Sequence, residues 1–338
     1  MEARIEELIR AIPKAENHYH LDAISAELMW KFANRNHVEI PYQSLEEVKQ
    51  VYKYQSLEEF VNVYLIACST IMTEEDIYDM VIDCAQAMKE QNIVYREAMF
   101  DYPACFGSRG IPFSVIASGL EKGLKAAKEE FGADIRLIAN LDRMSDVTVN
   151  LEYLHEMVNY LDRLPIIAVG LDNAENGFPA HNQTEAFAFA KEHGLFLTAH
   201  AGEDCGAESV RDAMESLKLD RIDHGIRAME DDDLMEILAE REILCTVCPE
   251  SNIVLGAASS WEVLPIRRFM DQGIRFSISS DDPPFFSMDM AGNIIKIAEV
   301  FELSEVEIRE LILNSFRYNF AGQEYLPLVE SWISENWR

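Results

Sequence analysis

The chain of 338 residues is 49% hydrophobic, enough to bury a sizeable core, and carries 60 acidic against 29 basic residues for a formal net charge of −31. That field opposes approach to a nucleic-acid backbone or an anionic membrane surface, so neither is expected as a partner. There is no run of about eighteen apolar residues and no apolar leader within Met1–Arg10. Together with six scattered cysteines (Cys68, Cys84, Cys105, Cys205, Cys245 and Cys248), this predicts a reduced, cytoplasmic protein without a disulfide framework.

From the N-terminus onward, short apolar or β-branched runs alternate with amphipathic stretches. Predicted strands are Ala15–His20, Ile93–Phe100, Asp134–Asn140, Ile166–Leu171, Leu195–His200, Arg221–His224, Ile243–Cys248 and Ile274–Ser279. Helical patterns between them include Val115–Phe131, Leu151–Leu161, Thr184–His193 and Asp232–Glu240. Eight β-then-α units argue for an α/β fold, a closed (β/α)8 TIM-type barrel, with residues 1–338 as one domain. An open doubly wound sheet would call for a Gly-rich phosphate turn after an early strand, and none is present. Residues 24–88 exceed what one crossover needs. They read as several helices with apolar faces at Leu28, Met29 and Phe32, then Phe60, Val63, Tyr64 and Ile66. Inserted after the first strand, such a segment would overhang the catalytic end of a barrel as a candidate lid.

The polar residues fall where the strands end. His18 and His20 close the first strand in ENHYHLDA, and their i, i+2 spacing puts both imidazoles on one face. His200 closes the fifth in LTAHAGED, with Glu203 in the following loop. His224 closes the sixth in RIDHG, and Asp281 and Asp282 close the eighth in SISSDDPPFF. Three imidazoles and a carboxylate suit Zn²⁺ with one position left for water, whose pKa then falls from ~16 towards ~7. A fourth histidine and a free glutamate supply proton transfer. Taken singly each residue has a plainer explanation: HYH as a solvated pair, the aspartates as an N-cap before Pro283, Glu203 as a surface charge. Those explanations must all hold independently, yet the positions recur in barrel order. His37, His155, His181 and His193 read as structural. Cys245 and Cys248 form a CxxC, but a deaminase of the cytidine type would want Pro-Cys-x-x-Cys, and here Pro249 follows the pair. They read as small buried residues.

The motifs KAENHYHLDA, HAGE, RIDHG, CPESN and SDDP, in this order, resemble the adenosine/adenine deaminase branch of the amidohydrolase superfamily over nearly the whole length. The resemblance implies one zinc ion per chain held by His18, His20, His200 and Asp281. It implies that Glu203 protonates purine N1, that His224 orients the attacking hydroxide, and that Asp282 bonds N7. The segment Gly170-Leu171-Asp172-Asn173-Ala174-Glu175 resembles the Gly-Leu-Asp-Ser-Ser-Glu of adenine enzymes, whereas Asp22 matches the adenosine enzymes. Gly170, Asp172, Glu175 and Asp22 are therefore candidate substrate-binding residues. Glu175 is the expected selector, offering a carboxylate to the N9–H of free adenine. The expected reaction is hydrolytic deamination of a purine base or nucleoside (adenine to hypoxanthine, or adenosine to inosine). The alternatives are a modified adenosine, such as an aminodeoxyfutalosine or a methylated adenine nucleotide, and a non-deaminase metal hydrolase on the same barrel.

Overall fold

A computed structural model describes residues 2–53 and 57–337. Helix α1 (Ala3–Ala11) precedes β1 (Lys14–His20). Four helices follow before β2 (Ile93–Phe100): α2 (Ala26–Asn36), α3 (Leu45–Val51), α4 (Leu57–Thr70) and α5 (Glu74–Glu90). Then α6 (Phe113–Ala126) leads to β3 (Asp134–Asp142), and α7 (Val147–Met157) to β4 (Ile166–Asp172). Next, α8 (Thr184–Glu192) leads to β5, which is in two pieces, Phe196–Leu197 and His200–Ala201. Beyond it come α9 (Ala207–Leu217) and β6 (Arg221–His224), then α10 (Asp232–Glu240) and β7 (Leu244–Val247). The short helices α11 (Pro249–Val254) and α12 (Ile266–Gln272) lead to β8 (Phe276–Ile278). Four helices end the chain: α13 (Pro283–Phe286), α14 (Met290–Val300), α15 (Glu305–Arg317) and α16 (Leu326–Asn336).

All strand pairs are parallel and sequential. The fifth strand departs from its predicted span. Phe196–Leu197 pair with β4, His200–Ala201 pair with β6, and the chain changes neighbour between them. Thr198 N still donates to Val169 O at 2.9 Å, and Asp223 N to Ala199 O at 2.8 Å, so the ladder runs through the break. The ring closes where β1 meets the chain just past β8. Tyr19 bridges to Asp281, His20 N donates to Asp281 O at 3.1 Å, and Asp281 N to His18 O at 3.4 Å. The expected (β/α)8 barrel is thus present, its strands buried on both faces as a helix-jacketed parallel sheet requires.

Residues 24–88 form helices as expected; 54–56 within them lie outside the described residues. Local chemistry sets their ends. Ser25 Oγ accepts from Leu28 N at the start of α2, and Thr73 and Asp76 form a reciprocal capping box on α5. The insertion is tied to the barrel end by aromatic rings. Tyr52 stacks on Phe285 at 4.7 Å between centroids, and Phe60 meets Phe285 and Phe286 at 5.5 and 5.4 Å. Both partners belong to α13, directly after Asp282.

Candidate active site

Strand β1 alternates, sending His18 and His20 into the barrel while Tyr19 turns outward beneath the Arg96 guanidinium, 3.9 Å from its ring centroid. His18 Nε2 lies 3.1 Å from Asp281 Oδ1. His20 Nε2 lies 3.3 Å from His200 Nε2 and 3.4 Å from Asp281 Oδ1. One donor atom from each of these four residues falls within 4.8 Å of all the others.

The remaining ring nitrogens assign the tautomers. His200 Nδ1 faces the Leu171 carbonyl at 3.0 Å, and His20 Nδ1 faces Asp172 Oδ2 at 3.6 Å. Thr246 Oγ1 donates to Asp223 Oδ1 at 2.9 Å and so accepts from His18 Nδ1 at 3.0 Å. These partners accept, so the protons sit on Nδ1 and three Nε2 lone pairs converge. Lone pairs of two rings 3.3 Å apart repel each other unless a cation stands between them. Ligands bound at about 2.1 Å in a tetrahedral shell are spaced by roughly 3.4 Å. The cluster therefore fits a metal ion. The local field favours positive charge there as well. Burial would lower the imidazole pKa values, yet Asp281 and Asp223 raise His18 to about 9, and Asp282 and Asp172 raise His20. Burial pushes Asp281 up, but His18, His224 and His20 together hold it well below the usual carboxylate range.

On the other side of Asp281 stands His224. Its Nε2 is 3.9 Å from Asp281 Oδ2 and 3.4 Å from Glu203 Oε2, with no hydrogen-bond partner among the described residues. Asn252 Nδ2 donates to His224 Nδ1 at 3.0 Å, so the ring proton is on Nε2. Burial, followed by Asp281 and Asp204, pushes the Glu203 carboxyl well above its usual range. Both His224 (φ 61°) and Asp281 (φ 66°) occupy the left-handed region of backbone space, unusual for residues with side chains. The residues open onto a cavity of about 430 Å³ whose opposite wall is α4, through Phe60, Val61, Tyr64 and Leu65.

The adenosine deaminase family profile matches residues 13–331. An adenine deaminase of Acinetobacter baylyi is 37% identical over 330 residues, covering 97% of this chain and 98% of the relative. The chain belongs to the adenosine deaminase family. The crystal structure of the adenine deaminase from Arthrobacter aurescens superposes with a TM-score of 0.89 at 32% identity, over 96% of this chain and 99% of that one. A zinc-containing amidohydrolase from Burkholderia ambifaria shares the fold (TM-score 0.86, 21% identity, 99% and 93% covered).

Within this family member the other expected site residues divide. Asp172 and Asp282 line the cavity, and so does Asp101. Burial raises the Asp282 carboxyl well above its usual range, and its Oδ1 has no partner among the described residues. Three expected substrate contacts do not line the cavity. Gly170 is inside β4, where a Cβ would come within 2.0 Å of Asn140 Oδ1, so its missing side chain serves packing between β3 and β4. Asp22 is wholly buried and accepts from Asp101 N through Oδ2 at 3.3 Å. Glu175 was expected to face purine N9–H. Its carboxylate instead accepts from Gly202 N, Glu203 N and Asp204 N at 2.8–2.9 Å and from the Ser209 hydroxyl, leaving no lone pair for a purine.

Sequence reasoning missed several neighbours of the site. Asp223 takes hydrogen bonds from Thr246, Thr198 and Arg221 beneath His18, although RIDHG names it. Asn252 was visible in CPESN but not as a histidine partner. Cys248 is the small buried residue expected, and its Sγ also falls within 4.8 Å of donor atoms of His18, His224 and Asp281. The four histidines read as structural stay away from the cavity lining, as His181 on Asp212 and His193 on the Phe189 carbonyl illustrate.

Proposed function

We propose that the chain hydrolyses adenine to hypoxanthine and ammonia, with one zinc ion held by His18, His20, His200 and Asp281. The observation that carries this reading is the convergence of three Nε2 lone pairs and an ionised aspartate under a cavity that Glu203 and His224 also line. The extent of likeness to adenine deaminases supports the choice of base. When bound, the ion supplies hydroxide at neutral pH by lowering the pKa of its water.

The chain's own groups do the rest. An aminopurine ring is electron-rich and resists addition at C6. Glu203, kept protonated by burial and neighbouring carboxylates, delivers its proton to N1 and makes C6 electrophilic. His224 carries its Nε2 proton toward the cavity because Asn252 occupies the other nitrogen. That N–H orients the attacking oxygen and stabilises charge as it develops. Asp282, protonated by the same burial, donates to the N7 lone pair. The proton of the added hydroxyl passes to the amino group, so that ammonia leaves and C6 becomes a carbonyl.

Charge at the cavity argues against a nucleotide. Arg227 is its only lining arginine or lysine among the described residues, and its Nε is engaged by Glu230 at 2.8 Å. Burial pushes the Asp172 carboxyl up, but His200 and His20 hold it below the usual carboxylate range, and in ionised form it would repel a phosphate. Residues 1–338 act in this reading as one domain, with 24–88 as a lid whose helix α4 covers the base. No described helix is long and apolar enough to cross a membrane.

The test is ammonia release from adenine, adenosine and AMP side by side, with metal content measured on the same protein. Adenine should be turned over fastest, AMP not at all, and about one zinc should be found per chain. His18→Ala should lose metal and turnover together. Adenosine or AMP as the better substrate, or turnover by metal-free protein, would overturn the reading.

A further inference from the structure

The carboxylate of Glu175 grips the loop that carries Glu203. Oε1 accepts from Glu203 N at 2.8 Å and Asp204 N at 2.9 Å, and Oε2 accepts from Gly202 N at 2.9 Å and from Ser209 Oγ. Three successive backbone N–H groups converging on one anion form a nest, a geometry that binds carboxylate or phosphate oxygens wherever the backbone curls this way. Gly202 makes the curl at φ +72°, where a Cβ would also come within 2.5 Å of Val210 Cγ2. The same segment is held from a second strand end. Arg143, buried after β3, donates through Nη2 to the His200 carbonyl. Residues 202–206 have no helix or strand ladder of their own to fix them, so these side chains supply the order that secondary structure supplies elsewhere.

We infer that Glu175 and Arg143 are positioning residues for proton transfer, clamping residues 200–204 so that the Glu203 carboxyl stands against His224 and the cavity. The inference rests on the reading of Glu203 as the proton donor. Without the clamp, the three N–H groups turn to water and the loop samples many arrangements, few of which place Glu203 within hydrogen-bond reach of N1. The loss falls on turnover rather than on base binding, because neither clamp residue lines the cavity. A residue without a carboxylate at position 175 cannot bind this nest, so a chain with one there must hold the loop by other means.

The experiment compares Glu175→Ala, Glu175→Gln and Arg143→Met by metal content, by kcat and KM for adenine, and by amide hydrogen exchange over residues 200–206. Glu175→Ala should keep its metal, exchange the amides of 202–204 at least about tenfold faster, and lose about a hundredfold in kcat with KM changed less than about threefold. Added formate, an anion small enough for the vacated nest, should restore kcat saturably by about tenfold or more. Glu175→Gln, which keeps one acceptor oxygen, should fall between, and it stands in if the alanine variant does not fold. Arg143→Met should speed exchange over the same segment. Unchanged exchange together with near-normal kcat overturns the inference. So does a loss confined to KM that formate leaves untouched, since that is the behaviour of a group binding substrate. Glu203→Gln is the separate check: full kcat there refutes the proton-donor reading, while the exchange data still decide the clamp.

Discussion

Replacing Asn252 by aspartate should reverse the proton on His224 while hardly changing the shape of the site. Asn252 is fully buried and its Nδ2 donates to His224 Nδ1 at 3.0 Å, which keeps the ring proton on Nε2 where the cavity needs it. An ionised carboxylate in its place would accept instead, drawing the proton to Nδ1 and leaving a lone pair at Nε2. Leaving a buried hydrogen-bonding group unpaired costs about 1–3 kcal/mol, and a charge-assisted bond is roughly twice as strong as a neutral one. Exchanging donor for charged acceptor thus disfavours the working tautomer by about 2–4 kcal/mol, or roughly 30- to 1,000-fold in kcat at about 1.36 kcal/mol per decade. Asn252→Ala only removes the preference and should lose about five- to tenfold. The assay is kcat from ammonia release at saturating adenine, with zinc content measured and the tautomer read from imidazole ¹⁵N shifts. Asn252→Asp retaining kcat within about threefold, with metal bound, would refute the reasoning, as would an alanine variant worse than the aspartate one.

Glu203→Gln should retain metal and adenine binding while kcat drops by about two to four orders of magnitude, measured by steady-state kinetics beside a binding titration. Asp83 on α5 tests pH linkage: burial first, then Glu27, Glu90 and Asp79, raise its pKa to about 6. The folded carboxyl therefore holds its proton more tightly than the unfolded one, so its favourable contribution is full below about pH 4 and lost as pH rises through 6. Partial exposure reduces the upper limit of about 3 kcal/mol to about 1–2 kcal/mol. Asp83→Asn should accordingly raise Tm at about pH 7.5 but not at about pH 4, and an equal gain at both values would contradict the assignment.

The barrel and the grouping of His18, His20, His200 and Asp281 were legible because each rests on a short-range rule. Period-two alternation put His18 and His20 on one face, and the clustering of function at the strand ends gathered His200, His224 and Asp281 before any distance was known. What escaped depended on long-range partners. The break in β5 comes from a change of neighbouring strand, which the stretch Leu195–Ala199 does not record. Glu175 meets residues 27–34 positions away along the chain, so its type alone could not separate a loop anchor from a purine contact. Gly170 is small because Asn140 lies opposite, and Cys68 and Cys105 stand 3.3 Å apart although neither motif nor spacing pairs them.

His224 and Asp281 stand on backbone that glycine adopts freely and other residues only under strain, roughly 1–3 kcal/mol for each. The barrel would accordingly be easier to fold with glycine at both places, though the cavity would then lose the His224 ring and the Asp281 carboxylate that line it. Stability and the make-up of the cavity therefore pull in opposite directions at these two positions.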